Sequence, residues 1–321
     1  MPIPYNPTAQ DGRAIREKNR LTVLQALRSF GQLRRPEIAR LLWPNSSTRS
    51  AYQMAVRTCS GLIADGLVFE RTNTFRDKSL ALSNRGANLL NNRGFKAQPG
   101  HNLNFTGSQF FHRTLGNAYL VEKAARGDGV WPEYGLISNQ FALGPDWFRA
   151  AAGKIPDGIV RIENEDLGLI HGEFAIEWIE VESSFKPQKE LYRILDTARR
   201  LGDFLTPRAN LAVFEERGQR VEIFMDKLVL VYDANQGHER NILRAVRRYL
   251  KEHEISPDVD WLTRIVMARC YVDIPFVWRG LDELPLTVLL NSDSALDPES
   301  EIIMNPEQFS SEELDEAAEN F

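Results

Sequence analysis

Residues 46–82, SSTRSAYQMAVRTCSGLIADGLVFERTNTFRDKSLAL, decide the reading of the N-terminal third of the chain. Ser46 and Ser47 are candidate N-caps, because a serine hydroxyl accepts from the backbone N–H groups left unpaired where a helix begins. Beyond them Ala51, Ala55, Cys59 and Leu62 recur at i, i+4, i+8 and i+11, one apolar face of a helix reaching to about residue 65. Arg49, Gln53 and Arg57 fall on another face, and Gly66 suits the left-handed conformation that closes a helix. Residues 67–71 then read as a strand, 72–77 as a polar turn and 78–82 as a second strand, and Ser83 caps a further helix, SNRGANLLN. Upstream, Leu21, Val23, Leu24, Ala26 and Leu27 give residues 13–30 an apolar stripe that Gly31 ends. A short helix over 35–42 takes Pro36 in its first turn and turns Ile38, Leu41 and Leu42 inward, until Trp43-Pro44-Asn45 breaks it.

Three helices, a hairpin and a helix follow one another in the order of a winged helix-turn-helix. In such a module the third helix fits the DNA major groove with its N-terminal half against base edges. Arg49, Gln53 and Arg57 are then the expected readers, and Arg71, Arg76 and Lys78 on the wing the expected contacts to phosphate or minor groove. The competing reading is a solvated basic face on a module used for protein contacts.

The formal net charge of −5 argues against nucleic acid on its face, but the charges are segregated. Residues 1–100 hold 16 Lys and Arg against 6 Asp and Glu, whereas residues 281–321 hold 12 acidic residues and no Lys or Arg. A basic head, a near-neutral body and an acidic tail are different electrostatic objects, and only the head can neutralise phosphates. Cys59 and Cys270 are far apart and lack CxxC or histidine neighbours, as expected of buried thiols in a reducing compartment. The N-terminus has no apolar signal core, and no run of roughly 18 apolar residues occurs, so a cytoplasmic location without membrane contact is expected. The absence of Walker and GxGxxG patterns speaks against nucleotide-driven or dinucleotide chemistry.

After a linker at residues 92–104, a helix over about 109–126 is expected, with a strand at 134–141. The informative stretch is 154–200. Ile155-Pro156-Asp157-Gly158 enters a strand, IVRIE, and after a polar turn a longer strand ends FAIEWIEVE. Under strict alternation Phe174, Ile176, Trp178, Glu180 and Glu182 share one face. A helix then begins near Pro187 with Lys189 in its first turn, strands follow at about 210–215 and 221–231, and a helix at 241–253. The pattern is mixed α/β. Asp157 at the start of one hairpin strand and Glu180 and Glu182 at the end of its neighbour can converge. Oxygen-only ligands of that kind suit Mg²⁺ or Mn²⁺, and a nearby lysine adds positive charge to a phosphodiester transition state. The plain alternatives are a Pro-Asp-Gly turn and a solvated acidic strand end.

Pro156-Asp157 followed by Glu180-Val181-Glu182 on a helix-strand-strand-strand-helix frame resembles the PD-(D/E)xK nuclease superfamily. Together with the N-terminal module, FFHRTLGNAYLVE and EVESSFKPQKELYRIL, it resembles the replication-relaxation family, which is similar to the MOBC-type relaxases of mobilisable plasmids and integrative elements. The resemblance covers about residues 13–250. It implies an α+β multidomain chain: a winged helix-turn-helix over 13–96, a restriction-endonuclease-like α/β domain over 105–290, and an acidic tail over 291–321. It also implies that Asp157, Glu180 and Glu182 are metal ligands, that Lys189 or Lys186 stands in for the motif lysine displaced from position 182, and that His112 and Glu133 join the catalytic group. The resulting expectation is a Mg²⁺- or Mn²⁺-dependent relaxase or nickase acting in plasmid mobilisation at a transfer or replication origin, with double-stranded DNA and other mobilisation or replication proteins as partners and room for a homodimer. The alternatives are a non-catalytic winged-helix regulator or mobilisation accessory protein with a silent nuclease-like domain, and a middle domain serving for dimerisation or protein docking. Tyr52, Tyr119, Tyr134 and Tyr192 are expected to pack within the protein rather than to act as nucleophiles.

Overall fold

The expected helices of the first ninety residues form, and a strand that sequence reading passed over ties them together. The computed structural model describes residues 12–162, 173–183, 188–202, 210–216, 219–273 and 276–292, so Lys186 and the acidic tail beyond residue 292 lie outside the described residues. Helix α1 (Gly12–Phe30) buries Val23, Leu24, Ala26, Leu27 and Phe30, and α2 (Arg35–Leu42) buries Ile38 and Ala39. Helix α3 (Thr48–Ala64) starts at Ser47, whose hydroxyl accepts from the Ser50 N–H at 3.3 Å, and buries Ala51, Ala55, Cys59 and Leu62. Strands β2 (Val68–Thr72) and β3 (Lys78–Leu82) form the hairpin, and α4 (Asn84–Asn92) is capped by Ser83. Strand β1 (Gln32–Arg34) pairs antiparallel with β3, Leu33 opposite Leu80, giving a three-stranded sheet ordered β1-β3-β2. Three residues, all buried, are too few to show alternation, which is why β1 escapes a sequence pattern. The turn between β2 and β3 is organised by Asn73, which accepts from the Phe75 and Asp77 N–H groups and donates to Ser79.

The rest of the chain builds a mixed sheet. Helix α5 (Gly107–Arg126) leads into β4 (Gly129–Pro132), α6 (Glu133–Ile137) and α7 (Pro145–Ala152). Strands β5 (Gly158–Ile162) and β6 (Glu173–Glu182) follow, then α8 (Gln188–Gly202), β7 (Asn210–Glu216), β8 (Gln219–Asp233) and α9 (His238–Glu252). A short α10 (Asp260–Thr263), β9 (Ile265–Asp273), β10 (Val277–Pro285) and α11 (Leu286–Ser292) complete the described chain. The strand order is β10-β9-β8-β6-β5-β4, with β7 hydrogen-bonded to β8 off that path. β4, β5 and β6 are antiparallel neighbours, while β6–β8 and β8–β9 are parallel. The strand expected at 134–141 is not there: Pro132 and Glu133 start the short helix α6 instead, and the strand of that region is β4, just before it.

Alternation along β6 places Phe174, Ile176 and Trp178 in a core beneath α7, α8 and α9, and Ile179 and Val181 in a second core with α5. That second core is continuous with the one inside α1–α4. Polar contacts seal the same junction. The buried Arg34 guanidinium donates to Glu37 at 2.7 Å and to the Phe276 carbonyl at 2.8 Å, and lies 4.4 Å from the centre of the Phe276 ring. Arg40 forms a two-pronged pair with Glu122 of α5 at 2.9 and 2.8 Å, and the Asn117 amide donates to the Gln32 carbonyl at 2.9 Å. Residues 92–104, expected as a linker, are held down as well: the His101 ring stacks on Phe69 at 4.4 Å. Cys59 and Cys270 are free and buried, as expected. No helix among the described residues is long and apolar enough to cross a membrane.

Candidate functional site

The antiparallel pairing of β5 with β6 puts Asp157 at one end of the sheet, beside the last residues of β6. Asp157 donates its N–H to the Ile179 carbonyl and accepts the Glu133 N–H on its own, so the start of β5 is fixed between β4 and β6. One carboxylate oxygen accepts the Val181 N–H at 2.7 Å and the other lies 3.2 Å from His112 Nε2. His112, projecting from α5, places its Nδ1 3.1 Å from the Ser183 hydroxyl. The result is a contact chain Ser183–His112–Asp157 in which the imidazole can take or return a proton at Nδ1 while the carboxylate stabilises its charged form. Burial pushes the Asp157 carboxyl up, but the hydrogen bond and charge of His112, the Lys154 ammonium and the Val181 N–H together hold it below its ordinary range.

Glu180 lies alongside and is almost wholly buried. It accepts from Trp178 Nε1 at 2.7 Å and pairs closely with the Lys154 ammonium. Burial raises its carboxyl to about 7, with Asp157 adding repulsion and Lys154 offsetting part of it. Lys154 loses hydration, yet Glu180, Asp157 and Glu182 together hold it above the usual lysine range. Glu133 completes the group from the first turn of α6: burial and the nearby Asp157 push it up, against the pull of Arg113, His112 and Lys154. Two nitrogens of Arg113, Nε and Nη1, are shielded from solvent without a hydrogen-bond partner.

Asp157, Glu180, His112 and Glu133 are therefore brought together around Lys154, whose ammonium also feels Glu182. Glu182 shares the face of Glu180 and acts on Lys154, and it is buried beside Leu191, Ile194, Leu230 and Ile242 under α8 and α9. Lys189 is exposed on α8, away from the role expected of it. Among the described residues the lysine that reaches the acids is Lys154, three residues ahead of Asp157, and its only trace in the sequence is that proximity. The residues do not fit a divalent ion as they stand. Both oxygens of Asp157 and of Glu180 already have partners, a lysine ammonium occupies the cation's position against Glu180, and no group of three His, Cys, Asp or Glu among the described residues is arranged to hold a metal.

A second surface lies on α3 and the β2–β3 hairpin. With the opposite face packed, Arg49, Gln53 and Arg57 are all exposed, and so are Arg71, Arg76 and Lys78. Arg71 stacks over Phe69 at 5.6 Å and Lys78 donates to Thr72 at 2.8 Å, contacts that hold the two side chains along the hairpin. Arg76 sits at the turn with a φ of 59°. Tyr52, expected inside, is 45% exposed beside Gln53, because position 52 lies off the line of Ala51, Ala55, Cys59 and Leu62. Tyr119 does pack inside, its hydroxyl donating to Glu283 at 2.8 Å.

Compared with known protein families, curated proteins and solved structures, the chain has no significant match. Its residues and their geometry carry the functional argument.

Proposed function

We propose that this chain is a duplex-DNA-binding protein whose residues 12–92 act as a winged helix-turn-helix. The observation that carries the reading is the division of α3: Ala51, Ala55, Cys59 and Leu62 anchor it, and Arg49, Gln53 and Arg57 stand in the open on another face. The exposed cations Arg71, Arg76 and Lys78 of the hairpin and the basic excess of the first hundred residues support the same reading. Binding measured by fluorescence anisotropy on duplexes selected from a random pool tests it. Arg49→Ala weakens binding to the selected duplex by about 5- to 150-fold, as one bidentate base contact of ~1–3 kcal/mol requires, and relaxes the preference over a scrambled duplex. Equal binding to both duplexes, unaffected by that change, refutes base reading by α3.

A second reading adds chemistry, and one observation favours it: Asp157, Glu180, His112 and Glu133 gather at one sheet end, although α6 and α7 interrupt the helix-strand-strand-strand-helix frame of the PD-(D/E)xK resemblance between β4 and β5. In it the chain nicks DNA at a transfer or replication origin of a mobile element, as the relaxase resemblance implies. A Mg²⁺ or Mn²⁺ ion there would require Lys154 to release Glu180. Nicking of supercoiled origin DNA that Asp157→Ala and Glu180→Ala each abolish without loss of binding would establish this reading. Specific protection with no cleavage in either metal leaves the regulator or mobilisation accessory as the function.

A further inference from the structure

The face of α1 formed by Gly12, Ile15, Arg16, Asn19 and Arg20 meets the face of α3 formed by Met54, Arg57, Thr58 and Gly61 across an open groove of about 440 Å³. Both sets follow helical spacing, so each helix lines the groove with one continuous strip. Gly61 makes the space: a Cβ there would come 3.4 Å from one Arg20 nitrogen and 4.0 Å from one Arg16 nitrogen, so two guanidiniums lie over the glycine. Arg20 is paired with Asp65 at 2.6 Å. Arg16 and Arg57 are both exposed, and neither has a carboxylate partner among the described residues. Two unneutralised, forked cations thus face one concave space, and the charge of the third is already balanced.

We infer that this groove is a phosphodiester-binding subsite, in which Arg16 and Arg57 grip the DNA backbone. The inference rests on the DNA-binding reading and divides the labour within α3. Arg57, at the start of the helix's C-terminal half, holds phosphate together with α1, and base reading falls to Arg49 and Gln53 in the N-terminal half. A planar guanidinium suits a phosphate oxygen pair, and two of them from different helices fix the angle at which α3 meets the duplex. Phosphate contacts carry no sequence information directly, so their signature differs from that of a base contact.

The experiment uses the full chain and two duplexes of equal length, one selected from a random pool and one scrambled, with affinity measured across a series of KCl concentrations. Arg16→Ala and Arg57→Ala each reduce the slope of log affinity against log salt by about 1. Each weakens both duplexes by the same factor, roughly 3- to 10-fold near physiological salt. Gly61→Glu, which sets a carboxylate among the three arginines at a helical position with space for a side chain, weakens binding further while leaving the thermal midpoint and the far-ultraviolet circular dichroism unchanged. If Arg57→Ala changes the base preference, Arg57 is a reader and the inference fails. If Arg16→Ala, Arg57→Ala and Gly61→Glu keep the wild-type slope while Arg49→Ala loses selectivity, the groove is not a phosphate site although the DNA-binding reading stands. If the wild-type chain binds neither duplex, both fall.

Discussion

Replacing Lys154 with methionine keeps the aliphatic stem and removes the one cation among the described residues in close contact with Glu180. The Glu180 side chain is 2% exposed, so its charge cannot recover hydration when the ammonium is gone. Breaking a buried pair by deleting one partner costs about 3–5 kcal/mol. The Lys154 side chain is itself 38% exposed and part of its field acts through water, which puts the expected loss near the lower end, about 3 kcal/mol. The loss depends on pH, with a definite sign. The Glu180 carboxyl is raised to about 7 by burial, above its ordinary 4.5. Such a group contributes stability that is fully present below its unfolded value and lost as pH rises through its folded value. Without Lys154 the carboxyl rises further, so at pH 5 it is neutral and Lys154→Met loses only the support that Lys154 gives the ionised Asp157, whereas at pH 8.5 the loss at Glu180 is added to it. Urea denaturation at the two pH values measures both, and Lys154→Met combined with Glu180→Gln restores most of the stability at pH 8.5, because no buried charge is then left at position 180. A loss under about 1 kcal/mol at pH 8.5, or an equal loss at both pH values, would refute the argument that Glu180 is a buried carboxylate held by Lys154.

His112→Ala removes the strongest influence holding the Asp157 carboxyl down, so Asp157 titrates at higher pH by carboxyl-carbon NMR. A depressed carboxyl contributes stability that is present above its unfolded value and lost as pH falls through the folded one, so acid unfolding of the variant begins at higher pH than in the wild type. Gly31→Ala introduces a Cβ at a φ of +74° and 2.8 Å from Cγ of Tyr134. The left-handed backbone and the clash with the ring together cost about 2–4 kcal/mol, read as a lowered denaturation midpoint.

What the sequence made legible were features decided within a few residues of each other. Ser47 and Ser83 mark helix starts because a hydroxyl and its N–H target lie three positions apart, and the buried face of α3 follows from spacing alone. The alternation of β6 placed Phe174, Ile176 and Trp178 on a common side for the same reason. What stayed hidden depends on partners distant in the chain. β1 is a strand only because β3, 47 positions on at Leu80, supplies its hydrogen bonds to the segment of Leu33. Tyr134–Phe141 looked extended, but Leu136 and Phe141 are buried from a short helix and a loop. Nothing local distinguishes Lys154 from Lys189 as the cation of the acidic group. The pairing of β5 with β6 brings Lys154 to Glu180, while Lys189 is exposed on α8. Glu182 passes the alternation test with Glu180 and acts on the same Lys154 ammonium, but the aliphatic side chains of α8 and α9 that border it come from distant segments.

The contacts of Arg34 with Phe276, of Asn117 with Gln32 and of Arg40 with Glu122 tie the first helices to the part of the chain that carries the acidic end of the sheet. With those contacts kept, a duplex seated on α3, as proposed above, would meet α3 and the acidic end as parts of one body. Were both regions to engage a single duplex, the bending would have to come from the DNA, so easily kinked steps beside the bound sequence would favour the encounter and stiff tracts would oppose it.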